Sequence, residues 1–122
     1  MGYNPENSKV KEIESKLPKD SILDGVIINI ADGVVKDFVQ NTEKWKNENQ
    51  PAIELTVELK TEKETVTHNQ VFTYEAGENG ETLYGPKSNI GKFAKKYGLL
   101  PKVGMMIKVV TDDSGFGAIK LE

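Results

Sequence analysis

The segment 52–60, AIELTVELK, alternates strictly between apolar and polar side chains. Ile53, Leu55, Val57 and Leu59 fall on one side of an extended backbone, and Glu54, Thr56 and Glu58 on the other. Successive residues of a strand point to opposite faces, so this pattern demands a sheet buried on one side and wet on the other. Alone, such a strand leaves its backbone groups and its apolar face unsatisfied. The rest of the chain must supply neighbours.

Candidate neighbours are present on both sides. The run 22–30, ILDGVIINI, is rich in β-branched residues and leads to Asp32-Gly33, a hairpin-type turn, after which 34–39 (VVKDFV) reads as a continuation or a partner strand. The run 65–75 is a further strand, with His68, Gln70, Phe72 and Tyr74 on one face and Thr67, Asn69, Val71 and Thr73 on the other. Residues 103–111 and 115–122 form a closing hairpin around the turn at 112–115. Between these strand groups lies a helix over about 88–98. Ser88 can cap it, Gly98 suits a left-handed terminus, and Ile90, Phe93, Ala94 and Tyr97 share one face opposite Lys92, Lys95 and Lys96. Near the start, Val10, Ile13 and Leu17 make a narrow apolar stripe over 6–17, ended by Pro18, which predicts a short amphipathic helix. The expected organisation is a helical extension over 1–20 and one β-barrel domain over 21–122.

At 122 residues the chain suits one domain and can bury a core without staples. It has no cysteine, which removes disulfides, thiolate metal sites and cysteine nucleophiles and fits a cytoplasmic address. No apolar stretch approaches a membrane span, and the first residues do not read as a secretory signal. All 16 basic residues are lysine. Bidentate reading of guanine edges usually employs arginine, so a sequence-specific duplex reader is disfavoured. The charge is also segregated. Residues 82–111 carry six lysines and no carboxylate, so within a net charge of −3 the remainder of the chain holds −9. An acidic body with one basic third reads either as a local anion-binding surface or as lysines clustered on a solvated helix face.

The element order, three strand units, one helix and two further strands, is that of the five-stranded OB barrel. The segment 101–110, PKVGMMIKVV, resembles the entry to the fourth strand of many OB domains, where a Val-Gly pair precedes an alternating strand. Over residues 20–122 the chain thus resembles the small OB-type single-stranded-DNA-binding proteins of phages and archaea. The resemblance implies a mainly β fold: a five-stranded OB-like Greek-key barrel with one internal helix plugging its end and a short N-terminal helix. It implies a task in DNA replication, no cofactor, and a ligand groove across the second and third strands. The flanking loops would be 40–50 and 111–115. Two features depart from that pattern: Asp112 and Asp113 in the second loop, and Glu54 and Glu58 on the second strand, are acidic.

Within the first loop, Lys44-Trp45-Lys46 is the sharpest local signal. An indole in a polar loop offers a π face to a base while its flanking ammoniums meet phosphates; alternatively it folds back as a lid on the barrel mouth. Tyr74 and Tyr84 are further candidates for stacking, whereas Phe72 reads as core. Lys36, Lys87, Lys92, Lys95 and Lys96 are candidate phosphate contacts. Catalysis has little to work with: His68 is the only histidine, and the carboxylates match no ligand spacing. The expected activity is therefore binding of single-stranded DNA, or RNA, without an enzymatic step. The competing expectation is a protein-interaction or assembly module, with a protein partner or a homo-oligomer as its ligand.

Overall fold

A computed structural model describes residues 17–122 together with Glu6. The helix expected over 6–17 lies, its two ends apart, outside the described residues. The elements run β1 (Ile22–Val34), a helical turn α1 (Val35–Phe38), β2 (Pro51–Lys60), β3 (Thr65–Thr73), a small hairpin of β4 (Glu75–Ala76) and β5 (Thr82–Leu83), α2 (Asn89–Tyr97), β6 (Met106–Thr111) and β7 (Gly117–Ile119). The fold is mainly β.

Five strands form one sheet in the order β3-β2-β1-β6-β7, antiparallel at every step. β1 is 13 residues long and serves both halves of the sheet. Ile22 to Val26 pair with β6, and Gly25 to Val34 pair with β2. Where the two pairings overlap the sheet curls hard, and Gly25 permits it: a Cβ there would lie 2.7 Å from both Leu59 Cδ2 and Val57 Cγ1. A bulge at Ile28 adds further bend. The curl brings β3 and β7 together, so the sheet is barrel-like and nearly closed.

The alternation of β2 is realised as predicted. Leu55, Val57 and Leu59 are buried, joined inside by Ile27, Val66, Phe72, Ile107, Val109 and Ile119. The helix α2 covers one end of this core with Ile90 and Phe93. Ser88 Oγ accepts from the Gly91 N–H at 3.1 Å, and Gly98 closes the C-terminus with φ 82°.

β7 has three residues, too few to complete a ladder with β3. Side chains finish the seam. The Gln70 Oε1 atom accepts from the Ile119 N–H at 2.8 Å and lies 2.9 Å from His68 Nε2. Opposite an oxygen acceptor at that distance, Nε2 is the donor.

Three local expectations are corrected. Asp32-Gly33 makes no hairpin, because β1 pairs straight through it: Asp32 faces Ile53 and Gly33 faces Ala52. Residues 35–38 are a helical turn, not a strand. The Asp37 carboxylate accepts from the Val34 N–H at 2.9 Å, and the Val39 N–H donates to the Val35 carbonyl at 3.0 Å. Side-chain capping of this kind competes with strand pairing for the same backbone groups. β6 starts at Met106, and residues 103–104 turn instead of extending.

Gln70→Met keeps the length of the side chain but removes the seam acceptor, leaving the Ile119 N–H unpaired. We expect a loss of about 1–3 kcal/mol in chemical denaturation. Amide exchange at Ile119 should accelerate while the β1–β2 amides keep their protection.

Candidate functional site

α2 is held at both ends, and this fixes where its lysines point. Phe93 meets Phe72 edge-on, with centroids 6.0 Å apart, and stacks obliquely on Tyr97 at 4.6 Å. The Tyr97 hydroxyl donates to the Lys120 carbonyl at 2.6 Å and accepts from the Lys108 N–H at 3.3 Å, pinning the helix to β6 and β7. With that face committed to the barrel, Lys92, Lys95 and Lys96 are all exposed. At 100° per residue they spread over an arc of about 100° on the outer side of the helix. Lys95 lies on the flank shared with Gly91, Ala94 and Gly98. Lys96 lies on the other flank, its ammonium 5.9 Å from the Tyr97 ring. Lys92 lies between them.

The Lys95 flank borders an open groove of about 770 Å³. One wall is the approach to the helix, Tyr84 and Pro86; the other is the segment after it, Leu99 to Lys102. Tyr84 is 43% exposed and Leu99 62%. Lys95 and Lys102 supply the charge, and no carboxylate lines the groove. The wall is anchored to the helix by the Gly85 carbonyl, which accepts from Ser88 Oγ at 2.6 Å and from the Ser88 N–H at 3.1 Å. Gly91 is what lets the two approach: a Cβ there would overlap the Gly85 carbonyl oxygen.

Of the residues singled out in the sequence, the structure brings Tyr84 and Lys95 into this groove and leaves Lys87 exposed in the turn beside its wall. Lys44, Trp45 and Lys46 sit in the separate loop before β2, where the Trp45 N–H donates to the Thr42 carbonyl at 3.0 Å. Trp45 is half-buried and lies outside the core cluster. Lys44 and Lys46 are exposed, but Glu43 and Glu48 balance them, so the loop carries no net charge. Lys36 is exposed on α1. Tyr74 leans toward the interior, half-buried, and its hydroxyl donates to Asp32 Oδ1 at 2.8 Å. That hydrogen bond, with burial and the carboxylate charge behind it, holds the phenol above its ordinary pKa. Phe72 is core.

The face implied by the OB resemblance, across β2 and β3, presents Glu54, Thr56 and Glu58 beside Thr67, Asn69 and Val71. It holds no aromatic ring and no lysine between those residues. Leu99 and Lys102 were not singled out from the sequence. Lys102 was visible only as a member of the acid-free run, and Leu99 as an apolar residue just past a helix terminus.

No family model matches the chain, and no curated protein or solved structure matches it significantly. The chemistry must be read from the groove itself. A phenol, aliphatic walls and two ammoniums suit a ligand with flat apolar parts and negative charge. Among the described residues no cluster of three or more His, Asp or Glu could hold a metal ion, and no helix is long and apolar enough to cross a membrane.

Gly91→Ala tests how the groove is built. Alanine favours a helix over glycine by about 1 kcal/mol, yet its methyl must push the 85–86 wall away. We expect the overlap to win, with a net loss of about 1–2 kcal/mol in thermal or chemical unfolding. A stabilised variant would show that the wall is not tied to the helix.

Proposed function

We propose that this protein is an OB-like module that binds single-stranded nucleic acid, DNA in the first instance, with little sequence preference. Several features support the OB reading. The strand order runs β3-β2-β1-β6-β7, β3 and β7 approach each other in parallel, and a helix between β3 and β6 plugs the barrel end. The observation that carries the ligand is the acid-free groove on α2. Tyr84 offers a face to a base, and Lys95 and Lys102 meet the phosphates on either side. Stacking tolerates any base, and lysine acts on phosphate as a point charge, so the combination favours affinity without sequence reading. The Lys44-Trp45-Lys46 loop is a second stacking element at a distance along the strand. A cytoplasmic address and a task in replication accompany this reading.

The test is a titration of a fluorescently labelled thymine oligonucleotide at low salt, followed by anisotropy. Affinity should fall with salt at a slope of about −0.7 per phosphate contacted. Lys95→Ala with Lys102→Ala should flatten the slope by about 0.7 for each lysine removed. Tyr84→Ala should weaken binding by about 1–3 kcal/mol while leaving the slope unchanged. Trp45 is the only tryptophan, so quenching of its emission reports whether that loop joins the strand. Absence of binding at low salt would defeat the proposal.

A further inference from the structure

The outer face of β1 and β6 combines exposed apolar side chains with an ion pair. Register stacks it in three layers: Ile22 opposite Val110, Asp24 opposite Lys108, and Val26 opposite Met106. Apolar layers thus bracket an ionic one, in which Lys108 Nζ lies 2.8 Å from Asp24 Oδ1. The carboxylate holds the Lys108 ammonium above its ordinary pKa. β6 is an interior strand of the sheet, yet Met106 is 80% exposed and Ile22 59%. Isolated exposed apolar residues need no explanation; here each stands beside a second apolar residue across the strands, Ile22 by Val110 and Met106 by Val26.

We infer that this face is self-complementary and that two copies of the chain pair through it about a two-fold axis. Shape is the first argument. Met106 stands between two hollows on the same face. One, of about 490 Å³, is bordered by Ile22, Val26 and Glu58, and the other, of about 350 Å³, by Lys96 and Tyr97. A two-fold axis sets the same patch against itself, so each protruding Met106 meets a hollow of the other copy. Methionine suits this role because its unbranched thioether fits irregular gaps.

Charge is the second argument. The face carries Asp24 and Glu58 together with Lys60, Lys96 and Lys108. A polyanion would be repelled by the two carboxylates, and a uniformly basic partner by the three lysines. A second copy presents both signs in the matching arrangement, so acids of one copy meet lysines of the other. The chain is acidic as a whole, and a mixed patch is where two acidic bodies approach at least electrostatic cost.

The experiment is sedimentation equilibrium of the full chain over a concentration series. The mass should rise toward twice the 13.5 kDa chain mass. Met106→Glu should weaken pairing by more than about 30-fold, with an unchanged circular dichroism spectrum, because the side chain points outward. Asp24→Lys with Glu58→Lys, and separately Lys60→Glu with Lys108→Glu, should each be monomeric alone and form a dimer when mixed. A wild-type chain that stays monomeric at all concentrations overturns the inference and leaves the face to the chain's own first residues or to a different protein. A dimer that survives Met106→Glu, or a mixture that does not pair, overturns it as well. So does a Met106→Glu variant that loses oligonucleotide affinity with no change of mass.

Discussion

The edge-on contact between Phe72 and Phe93 seals a sheet that cannot seal itself. β7 is three residues long, so the curled sheet lacks a full ladder to close it. Phe93 fills one end of the core, and Tyr97 ties the same helix to the carbonyls of Lys108 in β6 and Lys120 just past β7. Two fully buried aromatic side chains contribute several kcal/mol through area alone, more than the hydrogen bonds of the Gln70 seam can supply. The seam therefore sets register, while the plug sets stability. Everything on the outside of α2 inherits its direction from that plug.

That inheritance separates charges that are neighbours in sequence. Lys95 and Lys96 differ by one position, yet one borders the groove with Tyr84 and the other borders the hollow beside Met106. No acidic residue lines the groove, whereas Asp24 shares the hollow with Lys96; Glu54 and Glu58 lie on the outer face of β2, and Glu75, Glu78 and Glu81 on or beside the β4–β5 hairpin. Screening limits their reach to about 8 Å at physiological salt. An acidic total charge is thus compatible with a locally positive groove, and the local arrangement matters more than the sum.

Much of the barrel was legible in the chain. Strict alternation placed β2 and its inward face, the β3 pattern placed Phe72 inside, and the Ser88 and Gly98 caps bounded α2 to within a residue. These signals are local, because period and capping act over a few positions. One failure was tertiary and one was local. Asp32-Gly33 has turn chemistry, but its pairing with Ile53 and Ala52 of β2 holds it extended, and ladder hydrogen bonds override a turn preference. Residues 34–39 have strand-like composition, but the Asp37 side chain captures the backbone first. The groove was half legible for the same reason. The acid-free run of lysines is a property of sequence, whereas the meeting of Tyr84, Lys95 and Lys102 depends on the Gly91–Gly85 approach, which no pattern encodes. The layered face of β1 and β6 was invisible until register placed Met106 opposite Val26.

The two surfaces bear on one another through energetics. One stacked base contributes about 1–3 kcal/mol, and an exposed lysine beside a phosphate on the order of 1 kcal/mol in water. A groove with one tyrosine and two lysines therefore falls well short of the roughly 8 kcal/mol that a micromolar complex requires, before any cost of ordering the strand. A module of this size gains affinity by repetition rather than by a deeper pocket. The proposed pairing through β1 and β6 would achieve that, because the groove borders Lys95 and the paired face borders Lys96, on different flanks of α2. Two grooves carried by one such particle would engage a single strand at the effective concentration set by its flexibility, multiplying affinity without any new contact.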